Sequence, residues 1–352
     1  MNRHEKAMLK FAEGTFIPAH PLALTASRKL DEQRQRILTR YYLHAGVGGL
    51  AVAVHTTQFE IRDKEIGLFE PVLRLAVEEI EAYENKTGKT IVRIAGVCGP
   101  IEQAIEEANI ALRLGYDAVL LSPGGLNHLK EEELLKRSEA VASIIPVIGF
   151  YLQSSVGGRG FTYDYWEKFC EIDNVVGIKS APFNRYQTLD VVRALSFSSR
   201  TDKVALYTGN DDNIVLDLLT KYKFTKEGKT YEKSFVGGLL GHWSVWANTA
   251  VKMFEMLKEA SRDEYIKADL LTLAMEVTDC NAAFFDTANG FKGCIAGLHQ
   301  VLKKQGLMEG IWCLNEEETL SPGQFEEIER VYKLYPHLND DEFVKSNIKD
   351  WY

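Results

Sequence analysis

Three features that mark membrane, secreted and nucleic-acid-binding proteins are missing from the sequence. No apolar stretch reaches the roughly 18 residues that a bilayer-spanning helix needs, and the polar segment from Met1 to Lys6 leads into no apolar signal sequence. The net charge is -9, whereas nucleic acids are bound through clusters of lysine and arginine. We therefore expect a cytoplasmic protein that binds neither nucleic acid nor a membrane.

The patterns of disulfide and metal sites are missing as well. The five cysteines are widely spaced and form no Cys-x-x-Cys pair, so we expect reduced, mostly buried thiols. No two of the possible ligands His20, His55, Asp211 and His242 stand at a ligand-pair spacing such as His-x-His. We expect no metal and no cofactor, although a metal-dependent barrel enzyme built on these residues stays an alternative.

What the sequence does contain is an alternation of short β-branched runs with longer amphipathic stretches, as far as residue 260. This alternation is typical of βα units on a parallel sheet. The eight runs are Gly14 to Ala19, Gly49 to Val54, Thr90 to Ala95, Ala118 to Ser122, Pro146 to Tyr151, Val175 to Lys179, Val204 to Thr208 and Ser234 to Leu239. Eight strands predict an α/β fold, the closed (β/α)8 TIM barrel, rather than an open sheet.

After the eighth strand, the sequence predicts more helices than a barrel needs. Val245 to Ala260 supplies the closing helix, and three further helices follow at Arg262 to Phe285, Asn289 to Gln305 and Gln324 to Leu334. We therefore predict a barrel over residues 1–260 and a C-terminal helical extension, packed on the barrel, over residues 261–352. Before the eighth strand, Thr225 to Lys229 is predicted to be a polar loop.

Lys179 is the one charge at the end of the apolar run from Val175 to Ile178. Without a neighbouring charge, desolvation lowers the pKa of a lysine from about 10.4 and leaves neutral amine that can attack a carbonyl. The alternative is a lysine whose amine merely reaches solvent from the strand end. Barrel enzymes place their chemistry at the C-terminal ends of the strands, and other polar residues stand at such ends: His55, Thr56, Thr57, Tyr151 and Thr208 to Asp211.

Tyr151 in strand five and Gly177-Ile178-Lys179 in strand six stand where one barrel family carries a tyrosine and a Gly-x-Lys motif. The 28 positions between Tyr151 and Lys179 also agree with that family. The strand-two end with Thr56-Thr57 and the turn from Thr208 to Asp212 are similar to its Gly-Thr-Thr-Gly-Glu and Ser-Gly-Asp-Asp motifs. The sequence thus resembles the dihydrodipicolinate synthase and N-acetylneuraminate lyase superfamily, in which three extra C-terminal helices are also common.

The resemblance implies a lyase in which Lys179 forms a Schiff base with a pyruvate-like 2-oxo acid. Tyr151 would shuttle protons with the Thr56 hydroxyl as a relay, and Thr57 would hold the substrate carboxylate with His55 beside it. The other predicted substrate-binding residues are Arg159, Gly209 and Asn210. Because the family commonly forms tetramers built from dimers, we expect a homo-oligomer, either a dimer or a tetramer.

Three loops depart from the family pattern. The strand-two turn continues with Gln58-Phe59, the segment from Ser122 to Leu126 lacks the Tyr-Tyr pair that reaches a neighbouring subunit, and Arg159 comes three residues later than the family arginine. We therefore expect an aldolase or dehydratase acting on another 2-oxo acid rather than a lysine-pathway synthase, with the substrate and the direction of reaction left open. A non-catalytic 2-oxo acid binding protein is the remaining alternative.

Overall fold

The computed structural model describes residues 1–352 and contains ten strands and thirteen α-helices. The strands are β1 Phe16–Pro18, β2 Gly49–Val52, β3 Val92–Val97, β4 Ala118–Leu121, β5 Val147–Leu152, β6 Val175–Ala181, β7 Ala205–Thr208, β8 Lys221–Lys226, β9 Lys229–Ser234 and β10 Gly237–Leu240. The helices are α1 Arg3–Glu13, α2 Glu32–Ala45, α3 Phe69–Thr87, α4 Ile101–Arg113, α5 Glu131–Ala142, α6 Tyr163–Cys170, α7 Arg185–Phe197, α8 Ile214–Leu219, α9 Ala247–Ala260, α10 Asp269–Phe284, α11 Cys294–Lys304, α12 Gln324–Leu334 and α13 Asp341–Asn347.

All strands except β8 and β9 form one sheet with the order β1-β10-β7-β6-β5-β4-β3-β2. A parallel backbone bridge from Ala19 to Ala51 connects the two strands at the ends of this order, and helices alternate with the strands along the chain. The predicted (β/α)8 barrel is therefore confirmed, with β10 as its eighth strand. The strands are almost continuously buried because side chains on both faces of a parallel barrel sheet are covered.

Strand β6 is longer than the sequence predicts. It runs two residues past Lys179 to Ala181, because Ser180 pairs with residues of both neighbouring strands and Ala181 pairs with Leu152. Lys179 therefore lies within a hydrogen-bonded strand and not at its end.

The chain divides into two compact units, the first of which comprises residues 1–15, 92–239 and 257–266. Helix α1, which the sequence analysis did not predict, begins with a capping box formed by Asn2 and Glu5. Its Phe11 stacks on Tyr207 with ring centroids 4.5 Å apart, and the Tyr207 hydroxyl donates to the Phe11 carbonyl at 2.7 Å. A side chain on Gly177 would meet the Phe11 ring at 2.8 Å, so the glycine before Lys179 makes room for this helix.

The second unit comprises residues 16–91, 240–256 and 267–352. Its C-terminal helices are anchored through buried polar groups on α2 and beside α9. The Tyr41 hydroxyl donates to Asp340 at 2.8 Å and accepts the Ala247 N–H at 2.7 Å, while the Trp246 indole donates to the Tyr332 hydroxyl at 3.2 Å. The C-terminal helices therefore share hydrogen bonds and core with helices of the barrel.

The C-terminal helices differ from the prediction in extent. Helix α12 has the predicted bounds, while α10 begins at Asp269 and α11 at Cys294, later than predicted. Helix α13 and a short 3-10 helix that ends at the fully buried Trp351 were not predicted. No helix in the chain is both long enough and apolar enough to span a membrane.

The predicted polar loop at Thr225 to Lys229 is wrong, because these residues lie in a β-hairpin. Strands β8 and β9 pair in antiparallel register, with Glu227 and Gly228 at the turn in left-handed backbone conformations. The rings of Phe224 and Tyr231 both contact Phe197 of α7. Alternation of these rings with exposed lysines is the period-two pattern of a half-buried strand, a signal that the sequence analysis overlooked.

Candidate active site

Lys179 is 7% exposed and sits at the centre of three paired strands. In register it faces Phe150 on β5 and Tyr207 on β7. Its amine lies 4.4 Å from the centre of the Phe150 ring, close enough for the ring face to attract the cation. The apolar run before Lys179 thus forms a buried strand, which places the lysine amine in a mostly apolar environment.

Burial lowers the pKa of Lys179 to about 8, and the nearby Asp211 carboxylate opposes part of that change. The direction agrees with the expectation from the sequence, since desolvation disfavours an ammonium ion. The sequence argument assumed that no charge lies beside Lys179, whereas the Asp211 carboxylate acts on it from the turn after β7. Below about pH 8 the amine is mainly protonated, and neutral amine accumulates above that pH.

The turn after β7 is held by Asp217, a fully buried carboxylate on α8. Asp217 accepts hydrogen bonds from Thr208 at 2.7 Å, Asn210 at 2.9 Å, Asn213 at 2.9 Å and Arg185 at 2.5 Å. Hydrogen bonds to one buried carboxylate restrict the positions of the groups that it joins. These bonds hold the backbone on both sides of Asp211, which is itself 4% exposed.

Gly209 and Asn210, two predicted substrate-binding residues, have their hydrogen-bonding groups engaged within the turn. The Gly209 N–H donates to the Ser180 carbonyl at 2.8 Å, and the Asn210 N–H donates to the Thr208 hydroxyl at 3.2 Å. The Asn210 side-chain oxygen accepts the Phe183 N–H at 3.1 Å, while its amide nitrogen donates to Asp217. These groups stabilise the turn and are not directed at a ligand.

On β5, Tyr151 lies on the opposite face from Phe150, the residue that the Lys179 amine contacts. A register shift between Val147 and Ile148 makes Tyr151 pair with Ser180, while Phe150 pairs with Lys179. Because successive side chains of a strand point to opposite faces, a shift of one residue changes the face that a side chain shares with its neighbours. With a constant offset of 28 residues between the strands, Tyr151 would pair with Lys179. Val147 pairs with Val175 but Ile148 pairs with Gly177, so one extra residue of β6 raises the offset by one and prevents that pair.

The surroundings of Tyr151 agree with this orientation. Its ring contacts Trp166 of α6 and Phe161, with centroids 5.3 and 5.4 Å away. Its hydroxyl accepts the Phe161 N–H at 3.2 Å, and burial raises its pKa. The structure therefore places the Tyr151 hydroxyl against the loop before α6 and does not bring it to the Lys179 amine.

Arg159 is engaged by backbone carbonyls. Its guanidinium donates to the Leu129 carbonyl at 2.5 Å and to the Leu126 carbonyl at 3.5 Å, and it lies 5.5 Å from the Phe161 ring centre. These contacts fasten the loop after β5 to the loop after β4. The Arg159 guanidinium therefore has partners within the protein, and its presence in this glycine-rich loop does not require a substrate carboxylate.

The predicted residues after β2 belong to the second unit. His55, Thr56 and Thr57 form a short 3-10 helix, in which both threonine hydroxyls donate to the His20 carbonyl, at 3.2 Å from Thr56 and 2.6 Å from Thr57. The His55 ring lies 5.8 Å from that of Phe59. Both threonines are buried and fix the backbone at the end of this barrel strand.

The residues considered for a metal site are not assembled into one. No group of three or more His, Cys, Asp or Glu side chains is arranged to hold a metal ion. His20 has ring nitrogens within hydrogen-bond distance of the Pro21 carbonyl and the Thr39 hydroxyl, at 2.7 and 2.9 Å. Burial lowers the pKa of His20 and of His242 to about 4, so both are neutral structural side chains at pH 7.

Asp211 and Asp217 lie at the candidate site but were not predicted as partners of its residues. Asp211 was predicted only as a possible metal ligand and as one of the polar residues at the end of strand seven. Asp217 carried a clear signal, because it is the one charge in the apolar helix Ile214–Leu219. A lone acid among buried apolar residues needs hydrogen-bonding partners, and polar residues occur just before this one.

Comparison with known proteins extends these observations. A family model described as the dihydrodipicolinate synthetase family matches residues 15–221. The 4-hydroxy-tetrahydrodipicolinate synthase of Protochlamydia amoebophila is 25% identical over 195 residues, which are 53% of this chain and 59% of that protein. The curated relatives are matched over only 46 to 63% of their own length.

Solved structures match over nearly the whole chain. Dihydrodipicolinate synthase from Oceanobacillus iheyensis superposes with a TM-score of 0.74 at 16% identity, covering 95% of this chain and 99% of that one. N-acetylneuraminate lyase from Fusobacterium nucleatum complexed with pyruvate gives a TM-score of 0.68 at 17% identity, covering 92% and 97%. At such identities the likeness shows the fold. Since the family model spans more than half of the sequence, the chain belongs to the dihydrodipicolinate synthetase family, as a divergent member.

Proposed function

We propose that the protein is a lyase in which Lys179 forms a Schiff base with a pyruvate-like 2-oxo acid. The observation that carries the proposal is the buried Lys179 amine, whose pKa is lowered to about 8, inside a barrel of this family. A lysine that is partly neutral near pH 7 and shielded from water is suited to attack a ketone. Support also comes from the fold of the pyruvate-bound N-acetylneuraminate lyase.

The chemistry of the proposal follows from the lysine nitrogen. The neutral amine donates its lone pair to the ketone carbon, and the carbonyl electrons move to the oxygen, which takes up a proton. Loss of a nitrogen proton gives the neutral carbinolamine. Its hydroxyl then takes up a proton and leaves as water, and the nitrogen lone pair forms the C=N bond of a protonated iminium. That cation accepts the electron pair of a bond broken next to it, which permits aldol cleavage, condensation or dehydration.

The proposal assigns different supporting roles to the predicted residues. On the sequence resemblance, it keeps Thr57, with His55 beside it, as the site of the substrate carboxylate. It drops the proton relay through Thr56, because that relay would serve Tyr151, whose hydroxyl is bonded to the Phe161 N–H. Arg159 donates to main-chain carbonyls, so we assign it to loop anchoring and not to a second substrate carboxylate. We therefore expect no turnover of pyruvate with aspartate semialdehyde.

Reductive trapping tests the covalent step. The protein is incubated with pyruvate, reduced with borohydride, and analysed by intact and peptide mass spectrometry. We expect a stable adduct on the peptide that contains Lys179 and none after Lys179→Ala. Absence of any adduct with a panel of 2-oxo acids would refute the proposal.

Lys233 offers a matched control for this experiment. Burial also lowers its pKa, but its ammonium donates to the Val204 carbonyl at 3.0 Å and to the Thr201 carbonyl. A lysine held in this way is not presented to a substrate. In Lys233→Ala the adduct should still form on Lys179. If the natural protein is trapped on Lys233 and not on Lys179, the lowered pKa of Lys179 would reflect burial and not a catalytic role.

A non-catalytic 2-oxo acid binding protein is the second candidate, and the placement of Tyr151 favours it. With its hydroxyl bonded to the Phe161 N–H, Tyr151 is not positioned to shuttle protons at Lys179. Turnover separates the two functions. A protein that forms the adduct but releases no product from any aldol or dehydration substrate would be a binding protein.

A further inference from the structure

We propose that Asp211 is the counter-ion of Lys179, held beside it by the Asp217 network so that it stabilises the cationic nitrogen. The cation is the ammonium ion in the free protein and the iminium in the adduct. Stabilisation of the iminium rests on the proposed Schiff base, whereas stabilisation of the ammonium ion does not.

The backbone of the turn runs directly along the Lys179 side chain. A Cβ on Gly209 would lie only 2.4 Å from the Lys179 Cε, so only glycine permits this approach. Two residues later, the Asp211 N–H donates to the Gly209 carbonyl at 3.1 Å. This tight turn leads from the glycine to the buried Asp211 carboxylate, whose charge acts on the amine.

The Asp217 network makes the position of Asp211 reproducible. Thr208 and Asn210 precede Asp211 and Asn213 follows it, and all three side chains donate to the Asp217 carboxylate. The turn is thus fastened on both sides of Asp211. Movement of this backbone away from Lys179 would break hydrogen bonds to the fully buried Asp217 carboxylate, which is costly.

The other groups around Lys179 do not supply a countercharge. From β5 it meets the Phe150 ring. From β7 it is paired with Tyr207, whose hydroxyl donates to the Phe11 carbonyl and accepts the Thr15 N–H at 3.1 Å; burial raises the pKa of Tyr207. The electrostatic influence on Lys179 comes from Asp211, while the neighbouring Asp212 interacts with Arg185 and Asp217.

A countercharge at this place has two opposing effects. It raises the pKa of the amine, so less neutral lysine is available at a given pH, and it stabilises the iminium after the substrate has bound. Loss of the charge should therefore make the free amine less basic and weaken the adduct. A residue that only supports the fold would not produce this pair of changes.

Competitive labelling measures the basicity of Lys179 without any substrate. The protein is treated with trace acetic anhydride across pH 6 to 11, about the range that separates a depressed lysine from an ordinary one, and the labelling of each lysine is read from peptide masses. Lys223, whose side chain is 62% exposed, is the internal standard. We expect the midpoint of Lys179 to fall by about one pH unit in Asp211→Asn, which is about tenfold more neutral amine at a fixed pH below the midpoint.

Asp212→Asn is the matched control and should leave the Lys179 midpoint where it is, while Asp211→Glu should keep it near that of the natural protein. If Asp211→Asn loses its far-UV circular dichroism, Asp211→Ala serves as the second neutral variant. An unchanged or raised midpoint in a folded neutral variant would overturn the proposal, and so would an equal effect of Asp212→Asn.

Reductive trapping then tests whether Asp211 stabilises the iminium. At about pH 9.5, where the free amine is mainly neutral, the pyruvate concentration for half-maximal adduct should rise about tenfold in Asp211→Asn. Equal concentrations in both proteins at that pH would refute the stabilisation of the iminium. If the natural protein gives no adduct, the Schiff base has failed while the labelling result still decides whether Asp211 is the counter-ion of the amine.

Discussion

Replacing Lys179 by methionine should stabilise the folded protein at neutral pH. Methionine keeps a long unbranched side chain and removes the charge that burial penalises. The pKa of Lys179 falls from an ordinary 10.5 to about 8 on folding, and at about 1.36 kcal/mol per pH unit this corresponds to a penalty of about 3 kcal/mol at pH 7. Part of the gain is offset, because the buried Asp211 carboxylate loses its partner.

The pH dependence separates these two contributions. Between about pH 8 and pH 10.4 the unfolded chain binds a proton at Lys179 that the folded chain has released, so the stability of the natural protein rises with pH. The penalty is complete below that window and absent above it. The advantage of Lys179→Met should therefore shrink by about 2 kcal/mol between about pH 7 and 9.5.

Urea unfolding at several pH values measures this difference, with coincidence of fluorescence and circular dichroism as the check on two-state behaviour. Lys223→Met, which removes an exposed lysine on the hairpin, should show no such slope. A difference between Lys179→Met and the natural protein that does not change with pH would refute the reasoning. It would mean that the amine is as basic in the folded chain as in the unfolded one.

Two further predictions concern the residues around the lysine. Asp217→Asn should lower the free energy of unfolding by about 3 kcal/mol, because it replaces a buried carboxylate that accepts four side-chain hydrogen bonds. The control in the same urea experiment is Asp173→Asn, at a fully exposed position. Equal stability of the two variants would contradict the role of the Asp217 network. Tyr151→Phe should cost about 1 kcal/mol for the hydrogen bond to Phe161 and leave borohydride trapping within about twofold, whereas a loss of about a hundredfold or more in trapping rate would show that the hydroxyl acts as a proton shuttle.

The barrel was predictable because its signal is local and repeated. Each apolar run forms a strand, each amphipathic stretch forms a helix, and the alternation leaves few other arrangements. The hairpin of β8 and β9 was missed because its apolar positions are few and its lysines suggest a loop. The depressed pKa of Lys179 was also predictable, since a lone lysine in an apolar strand is desolvated wherever that strand lies in the core.

The partners of Lys179 depended on contacts between distant segments. The spacing of Tyr151 and Lys179 suggested a pair, but a one-residue shift in the pairing of β5 with β6 turned Tyr151 to the opposite face. Asp211 became a neighbour because Gly209 lets the turn after β7 approach the lysine. Arg159 found its partners in the carbonyls of another loop.

Residue order was therefore enough to predict the barrel, the strand that carries the lysine and the low basicity of the buried amine. Hydrophobic periodicity and desolvation are properties of a segment and its burial, so they can be inferred from residue order. Which groups act on the amine depended on the tertiary structure: they are the Phe150 ring and the Asp211 charge, and not the Tyr151 hydroxyl. Register between strands and the closeness of turns arise from packing across many residues, and a change of one residue in pairing reverses the face on which a side chain lies.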